Sequence, residues 1–183
     1  MEFPTGADVS KNFIPVQSTL NWDEYFMLQA MLAGLRSKDP NTKVGTVFVD
    51  SHNHQLSMGY NGQVAGINED VIPWGNDRSE PYIYQKYGYV VHAEANAILH
   101  SKTNLNGSRC YVTLFPCNEC AKMLSTLRVQ EVVYLSDKYA GTEDNLISKK
   151  ILSLAQVKFR QLAMSEHLLE DLNTHLKKCL NHT

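Results

Sequence analysis

The sequence predicts an α/β fold with five strands. Short runs rich in β-branched and aromatic residues alternate with longer segments whose apolar residues recur at helical spacing. The 183 residues suffice for a single domain with a substantial core. Hydrophobic residues make up 43% and charged residues 20% of the chain, as in ordinary globular proteins. We therefore expect one domain at 20–163, between an N-terminal arm at 1–19 and a C-terminal amphipathic helix at 164–183.

The first elements are a loose arm and a helix. Pro4, Gly6 and Pro15 interrupt any regular period in the arm. Asn21 is a favourable N-cap, and residues 22–36 are predicted to form the helix. Because this helix is apolar on most sides, we expect the sheet to bury one side and a partner subunit to bury the other.

Two strands joined by a polar turn come next. Strands are predicted over 44–50 and 55–60, with the turn at 51–54 between them. His52 and His54 lie in that turn. We interpret them as solvent-facing side chains without acids or thiols nearby, rather than as a second metal site.

Residues 63–90 are predicted to be a long irregular insertion. Loops of this length inside compact domains are usually functional or disordered. Trp74 and the tyrosines at positions 82, 84, 87 and 89 indicate order. The insertion is therefore either a packed surface flap or a lid with a regulatory or substrate-binding role.

The second half of the chain alternates helices with strands. The predicted order is helix 91–100, strand 109–114, helix 117–127, strand 131–135, helix 143–155 capped by Thr142, strand 157–161 and helix 165–180. Leucine recurs every four residues in the last helix, at positions 168, 172, 176 and 180. This repeat predicts one apolar face.

Two short motifs supply the ligands of one metal ion. His92 and Glu94 are separated by one residue, and Cys117 and Cys120 form a Pro-Cys-x-x-Cys motif at 116–120. One imidazole and two thiolates suit zinc, and three protein ligands leave a fourth position for an activated water. Glu94 is not needed as a ligand and can carry protons. A lone Cys-x-x-Cys is also typical of redox pairs and zinc ribbons, but the chain has no second one to complete a ribbon.

The predicted elements bring these residues together. His92 and Glu94 fall in the first turn of one helix, and Cys117 starts the next. A helix N-terminus lowers the pKa of a thiol, which favours the thiolate that zinc requires. The loop at 136–139 follows a strand at its carboxyl end, where α/β sheets bind ligands.

Composition excludes several other classes of protein. The formal net charge of −2 and the pI near 6.4 lack the basic character of nucleic-acid binders. Four cysteines, two of them assigned to zinc, imply no disulfide framework. The N-terminus has no basic start with an apolar run, and no stretch approaches the roughly 18 apolar residues of a membrane span. We expect a cytoplasmic enzyme that binds neither nucleic acid nor membrane.

The chain from about 22 to 162 resembles the deoxycytidylate deaminase family of the cytidine deaminase superfamily. The segments that carry the resemblance are Trp-Asp-Glu-Tyr-Phe-Met at 22–27, Arg-Ser-Lys-Asp-Pro-Asn at 36–41, Gly-Tyr-Asn-Gly at 59–62, Asp-Val-Ile-Pro-Trp at 70–74, His-Ala-Glu-Ala-Asn-Ala-Ile at 92–98, Phe-Pro-Cys-Asn-Glu-Cys at 115–120 and Ser-Asp-Lys-Tyr at 136–139. His-x-Glu followed by Pro-Cys-x-x-Cys is the signature of zinc nucleobase deaminases in general. The flanking segments indicate the deoxycytidylate branch.

The resemblance implies a three-layer α-β-α fold around a mixed five-stranded sheet. It also implies a zinc-dependent reaction that converts dCMP to dUMP and ammonia, a hexamer, activation by dCTP with Mg²⁺ and inhibition by dTTP. Gly59, Tyr60, Asn61, Gly62 and the insertion at 63–90 are the suspected effector region.

The resemblance also implies roles for single residues. Glu94 protonates the N3 atom of the base, and the backbone N–H of Ala93 meets its carbonyl. Asn61 holds the sugar, and Tyr139 stacks on the base. We add Arg36 and Lys138 as candidates for the 5′-phosphate, because an anion needs a cation, although Arg36 is equally well explained as a charge at a helix C-terminus.

Two other functions are compatible with the zinc motif. A tRNA adenosine deaminase or single-strand DNA cytosine deaminase would use the same chemistry on a polymer, but near-neutral charge weighs against it. A non-catalytic, nucleotide-sensing zinc protein would have no use for the proton carrier Glu94.

Overall fold

The computed structural model describes residues 20–181, so the predicted arm at 1–19 lies outside the described residues. Within that range the helices are α1 Trp22–Gly34, α2 Ala93–His100, α3 Asn118–Thr126, α4 Glu143–Leu154 and α5 Leu168–Leu180. The strands are β1 Gly45–Val49, β2 Gln55–Tyr60, β3 Gly62–Gln63, β4 Val90–Val91, β5 Arg109–Leu114, β6 Glu131–Ser136 and β7 Lys158–Gln161. The predicted elements are all present, with ends that differ by a few residues.

The main sheet contains five strands in the order β2-β1-β5-β6-β7. β1 pairs antiparallel with β2 and β5, whereas β6 pairs parallel with β5 and β7. The predicted mixed five-stranded sheet is therefore confirmed. Because β5 and β6 are parallel neighbours, the segments after them lie at one edge of the sheet. The N–H of Phe115 donates to the carbonyl of Ser136 there, at 2.8 Å.

Helices cover both faces of this sheet and complete the three predicted layers. α1 covers one face, where Phe26 and Met27 pack with Val47 and Tyr111. α2, α3 and α4 cover the other face, whose core includes Phe48. Neighbouring strand residues such as Val47 and Phe48 point to opposite faces, so β1 contributes to both cores and is buried throughout.

The first helix confirms its predicted cap and lies directly against β1. The side chain of Asn21 accepts a hydrogen bond from the N–H of Glu24 at 2.9 Å. A Cβ at Gly45 would overlap the carbonyl oxygen of Ala30, so glycine permits this close approach. The outer side of α1 is exposed in the single chain, including Leu32 at 64%. The sheet therefore buries one side of α1, whereas the side expected to face a partner subunit is exposed in the single chain.

The insertion is ordered by polar as well as aromatic contacts. β3 and β4 pair antiparallel at its base, and three short 3-10 turns lie between them, at Glu69–Val71, Tyr82–Tyr84 and Lys86–Gly88. The tyrosines of the second turn are exposed, whereas Gln85 and Lys86 are buried. The expectation that aromatic residues order this segment was therefore incomplete.

Three helices begin later than predicted. α3 begins at Asn118 rather than at 117, because Cys117 is its N-cap residue. α2 begins at Ala93 rather than at 91, because Val91 pairs in β4 and His92 is the extended N-cap residue. α5 begins at Leu168 rather than at 165, and its apolar face is largely in solvent, with Leu168 buried and Leu176 and Leu180 exposed. No helix of the described chain is long and apolar enough to cross a membrane.

Candidate metal centre

Three side chains with metal-binding atoms meet where two helices begin. His92 and Cys117 are the N-cap residues of α2 and α3, and Cys120 lies in the first turn of α3. The Nδ1 atom of His92 lies 3.2 Å from Cys117 Sγ and 3.5 Å from Cys120 Sγ. All three ligand atoms lie within 4.8 Å of one another. The structure thus brings the three predicted ligands together.

The spacing of these atoms fits a tetrahedral zinc ion. Zinc bonds of about 2.0–2.1 Å to nitrogen and 2.3 Å to sulfur place the two ligand atoms about 3.5 Å apart in a tetrahedron. The His92 distances of 3.2 and 3.5 Å are close to that separation. In the part of the chain that the structure describes, no second group of three His, Cys, Asp or Glu side chains meets in this way.

The pKa values of the three ligand side chains shift in different directions. A hydrogen bond from the Cys120 thiol, with a further contribution from His92, lowers the pKa of Cys117 to about 4. The same contact with Cys117, together with burial, raises the pKa of Cys120. The hydrogen bond to Cys117 raises the pKa of His92 to about 9. The pKa of Cys117 is lowered as predicted, but the hydrogen bond with Cys120 rather than the helix N-terminus is the largest cause. A bound dication would favour the deprotonated form of all three groups.

Glu94 lies beside the cluster in the first turn of α2. Its side chain is buried, and it contacts the thiol of Cys120. Burial raises the pKa of Glu94, and the nearby His92 opposes that shift. A raised pKa brings a carboxyl closer to the pH at which an enzyme works, which suits a general acid–base.

The side-chain amide of Asn61 makes three hydrogen bonds within the protein. Its Nδ2 donates to Asp39 Oδ2 at 3.2 Å and to the carbonyl of Thr42 at 2.9 Å. Its Oδ1 accepts from the N–H of Val44 at 2.8 Å. An amide oxygen has two lone pairs, so the free capacity of Asn61 is one acceptor site on Oδ1. Both amide N–H groups of Asn61 are therefore already used within the protein.

The loop after β6 lies at the same sheet edge as the metal cluster. Lys138 and Tyr139 in this loop are exposed, and the Lys138 ammonium lies 5.3 Å from the Tyr139 ring centre. Asp137 anchors the loop by accepting hydrogen bonds from Asn145 and Lys149, both at 2.7 Å. The segment carrying Cys117 and this loop follow neighbouring parallel strands, so both face the same space.

Arg36 lies elsewhere. It lines a cavity of about 480 Å³ whose other lining residues are Lys38, Met58, Gly59, Tyr60, Gly62, Gln63, Ala65, Trp74, Asn96 and His100. No metal ligand lines this cavity, and neither Glu94 nor Lys138 does. Arg36 therefore lines a cavity to which Lys138 does not contribute, although both are candidates for the 5′-phosphate from the sequence.

The turn histidines differ from their predicted environment. His54 Nδ1 lies 3.1 Å from Asp50 Oδ2, so an acid does lie nearby. Asp50 also accepts the backbone N–H groups of His52 and His54, both at 2.8 Å. This carboxylate closes the turn, and within residues 20–181 the exposed pair forms no group of three candidate ligands.

The buried pair of Asp39 and Lys86 is not predictable from the sequence patterns. Lys86 Nζ donates to Asp39 Oδ2 at 2.6 Å, and the same carboxylate contacts Asn61. Asp39 follows the first predicted helix, whereas Lys86 lies in the predicted insertion at 63–90. Their 47-residue separation leaves no local signal that pairs them.

Comparison with known proteins gives consistent results. Residues 20–136 match the family described as "Cytidine and deoxycytidylate deaminase zinc-binding region". A probable deoxycytidylate deaminase of Drosophila melanogaster is 46% identical over 148 residues, covering 78% of this chain and 72% of that protein. The deoxycytidylate deaminase of Homo sapiens is 43% identical over 143 residues, covering 78% and 80%.

A solved structure shares the fold. The dCMP deaminase of cyanophage S-TIM5, in complex with dCMP and dUMP, superposes with a TM-score of 0.62 at 25% identity, covering 76% of this chain and 95% of that one. The match to the family spans well over half of the chain and includes all three candidate ligands and Glu94. The chain therefore belongs to the deoxycytidylate deaminase family, a group of hydrolytic enzymes within the cytidine deaminase superfamily.

Proposed function

We propose that this chain hydrolyses dCMP to dUMP and ammonia at a zinc ion held by His92, Cys117 and Cys120. The cluster of these ligand atoms beside the buried Glu94 carboxyl carries the proposal. Relatives named as deoxycytidylate deaminases support dCMP as the substrate. The dUMP formed would supply thymidylate synthesis.

The reaction divides between the metal and the side chains around it. Zinc, when bound, supplies Lewis acidity that makes water a nucleophile near neutral pH. Glu94 carries protons: it takes one from the attacking water and gives it to N3 of the base, and it then takes one from the hydroxyl added to the base and gives it to the departing amino group. Water thereby supplies both protons, and the amino group leaves as ammonia. The N–H of Ala93 is among the first four that a helix leaves unpaired, and it donates to the base carbonyl. The exposed ring of Tyr139 stacks on the base.

The sugar and phosphate are assigned to two different segments. Asn61 accepts a hydrogen bond from a sugar hydroxyl through the free lone pair of Oδ1, since both of its N–H groups are already used. Lys138 meets the 5′-phosphate from the loop beside the metal cluster. Arg36 is reassigned from the substrate phosphate to an effector phosphate, because it lines the separate cavity.

That cavity supports regulation by a second nucleotide. Arg36 and Lys38 supply positive charge, and Trp74 supplies an aromatic surface from the insertion. The cavity also contacts α2: Asn96 donates to the carbonyl of Tyr60 at 2.8 Å, one turn after His92. In this proposal dCTP with Mg²⁺ binds here and activates, and dTTP opposes it.

Because residue 59 is glycine, the end of β2 can approach the backbone of α2 closely. A Cβ at Gly59 would overlap the carbonyl oxygen of Ala93 and lie 2.5 Å from the backbone nitrogen of Ala97. The end of β2 therefore contacts the backbone of the helix that carries Glu94, without intervening side chains. A shift of the cavity wall would be passed directly to the catalytic helix.

Assembly into a homo-oligomer, a hexamer by resemblance, is part of the proposal. α1 exposes several large apolar side chains on its outer side: Trp22, Tyr25, Met31, Leu32 and the following Leu35. Contiguous exposed apolar side chains are typical of interaction surfaces. These residues are the first candidates for an interface between copies.

One assay separates the proposed function from its rivals. Ammonia release is measured from dCMP, dCTP, deoxycytidine and a cytosine oligonucleotide at equal concentration, with zinc-replete protein. We expect dCMP to be the preferred substrate. Preference for the oligonucleotide would identify a polynucleotide deaminase, and one bound zinc without ammonia release from any of them would identify a non-catalytic zinc protein.

A further inference from the structure

A buried ion pair joins the insertion to the body of the domain. The 2.6 Å contact between Lys86 and Asp39 leaves the two side chains 8% and 2% exposed. In the exposed pair of Lys122 and Glu119, at the same distance, the side chains are 55% and 65% exposed. A buried ion pair contributes little net stability, because desolvation of both charges offsets their attraction. Its presence here therefore calls for another role.

The Asp39 carboxylate is a junction between three segments. Its Oδ2 accepts from Lys86 in the insertion and from Asn61 after β2. Its Oδ1 accepts the backbone N–H groups of Asn41 and Thr42, at 2.8 and 3.1 Å. Although burial opposes ionisation, the hydrogen bond from Lys86 and these backbone hydrogen bonds lower the pKa of Asp39.

This junction is one of three contacts that set which way the Asn61 amide faces, together with the Thr42 carbonyl and the Val44 N–H. A carboxylate accepts hydrogen bonds only, so the Asn61 group facing it must be the NH₂. The Oδ1 atom then faces the N–H of Val44 at 2.8 Å and keeps one lone pair free. Without Lys86, the unpaired Asp39 carboxylate would draw in water or a proton, and the Asn61 amide would lose one of the three contacts that orient it.

We propose that Lys86 is a positioning residue for the substrate sugar. Its ammonium holds the Asp39 carboxylate, and Asp39 in turn holds Asn61 with Oδ1 ready to accept from a sugar hydroxyl. This inference rests on the proposed function, since it takes Asn61 to meet the sugar of dCMP. It gives the insertion a part in substrate binding, in addition to lining the cavity around Trp74.

The chemistry of dCMP allows a direct test. Its one free sugar hydroxyl is at C3′, because C2′ bears none and the 5′ oxygen bears phosphate. We would compare kcat and KM of wild type and Lys86→Met on dCMP and on 2′,3′-dideoxycytidine 5′-monophosphate. The loss of one well-oriented hydrogen bond should reduce kcat/KM for dCMP roughly 3- to 10-fold, mainly through KM. The dideoxy analogue should show little loss, with zinc content unchanged.

Matched variants separate positioning from general damage. Lys122→Met makes the same substitution in the exposed pair and should leave both substrates unaffected. An equal loss on both substrates for Lys86→Met would overturn the proposal, because a loosened fold does not distinguish a missing 3′-hydroxyl. If Lys86→Met does not fold, Lys86→Arg is the second variant. It keeps the charge and should show a smaller loss of kcat/KM, confined to dCMP. An equal loss of kcat/KM on dCMP and the dideoxy analogue, or no loss on either, would again overturn the proposal. A wild-type protein that binds zinc but does not turn over dCMP would overturn the proposed function, and this inference with it.

Discussion

Each residue of the metal cluster has a role that follows from its position at a helix end. His92 and Cys117 are N-cap residues, so their side chains point to where the two helices meet. Cys120 follows one turn later and is buried against them. Glu94 is equally buried, but it is a neighbour of the cluster rather than one of its three ligands. Variants of these residues should therefore have separable effects on metal binding and on turnover.

Replacing Glu94 by Gln should keep zinc and remove most turnover. The amide is nearly isosteric with the carboxyl and leaves the ligands untouched, but it cannot carry protons. Loss of general acid–base help alone is worth roughly 10²–10⁴-fold in rate. Metal content and ammonia release from dCMP would be measured on the same sample. Near-normal turnover by metal-replete Glu94→Gln would contradict the proposed mechanism.

Replacing Cys120 by Ala should release the metal. Wild type is expected to hold about one zinc per chain, as the three-ligand count implies. Cys120→Ala should lose it and unfold at a lower temperature, because metal binding and folding are coupled. Cys179→Ala is the matched control, since Cys179 is an exposed free cysteine on α5. A zinc content near two in wild type would indicate a second site, with His52 and His54 the first candidates.

At the scale of elements, α5 is attached to the domain by few buried side chains. Leu168 is buried, whereas Leu169 is 75% exposed. The segment before the helix is better anchored, because the N–H of Ser165 donates to Glu24 at 2.8 Å. The helix itself therefore adds little to the core that carries the metal cluster.

Deleting residues 168–183 should have a small effect. Removal of one buried leucine costs about 2 kcal/mol of unfolding free energy, which corresponds to roughly 4–8 °C in Tm for a chain of this size. Zinc content and dCMP turnover should be retained. Leu168→Ala in the full chain should reproduce most of the Tm change. If the deletion abolished zinc binding or turnover, α5 would have to be counted as part of the catalytic domain.

At the scale of the whole molecule, the cavity around Arg36 and the exposed side of α1 predict cooperative behaviour. We expect sigmoidal dependence of rate on dCMP, which becomes hyperbolic with dCTP and Mg²⁺ and which dTTP opposes. Such coupling typically amounts to about 1–3 kcal/mol, or 5–150-fold in affinity. By reciprocity, a substrate analogue should tighten dCTP binding by the same factor. Steady-state kinetics and equilibrium binding measure the two directions.

Two results would contradict this prediction. Rates that ignore both triphosphates at millimolar concentration, with hyperbolic dCMP saturation, would indicate an unregulated enzyme. Arg36→Met should weaken the response to dCTP, and an unchanged response would exclude Arg36 from the effector site. Sedimentation analysis of the same sample would show whether copies associate, as the exposed apolar side of α1 suggests.

The local sequence determined most of the elements and the composition of the metal cluster. The bounds predicted for β2 and β5 agree with the structure, and Asn21 and Thr142 cap α1 and α4 as expected. These features depend on residues close together in the chain, where periodicity and capping act. The zinc ligands were identifiable for a similar reason, because one short motif precedes each of two helices.

Only the tertiary structure decided how the other polar residues are partnered. Asp39, Asn61 and Lys86 come from three segments and meet in one buried network, whereas Arg36 lines a cavity that does not include Lys138. Strand order and the path of the insertion determine these distances, and neither is encoded in any short stretch. A buried charge needs a partner, and the fold can supply that partner from a segment far away in sequence. The residues next to a buried charge in the chain therefore do not predict its partner.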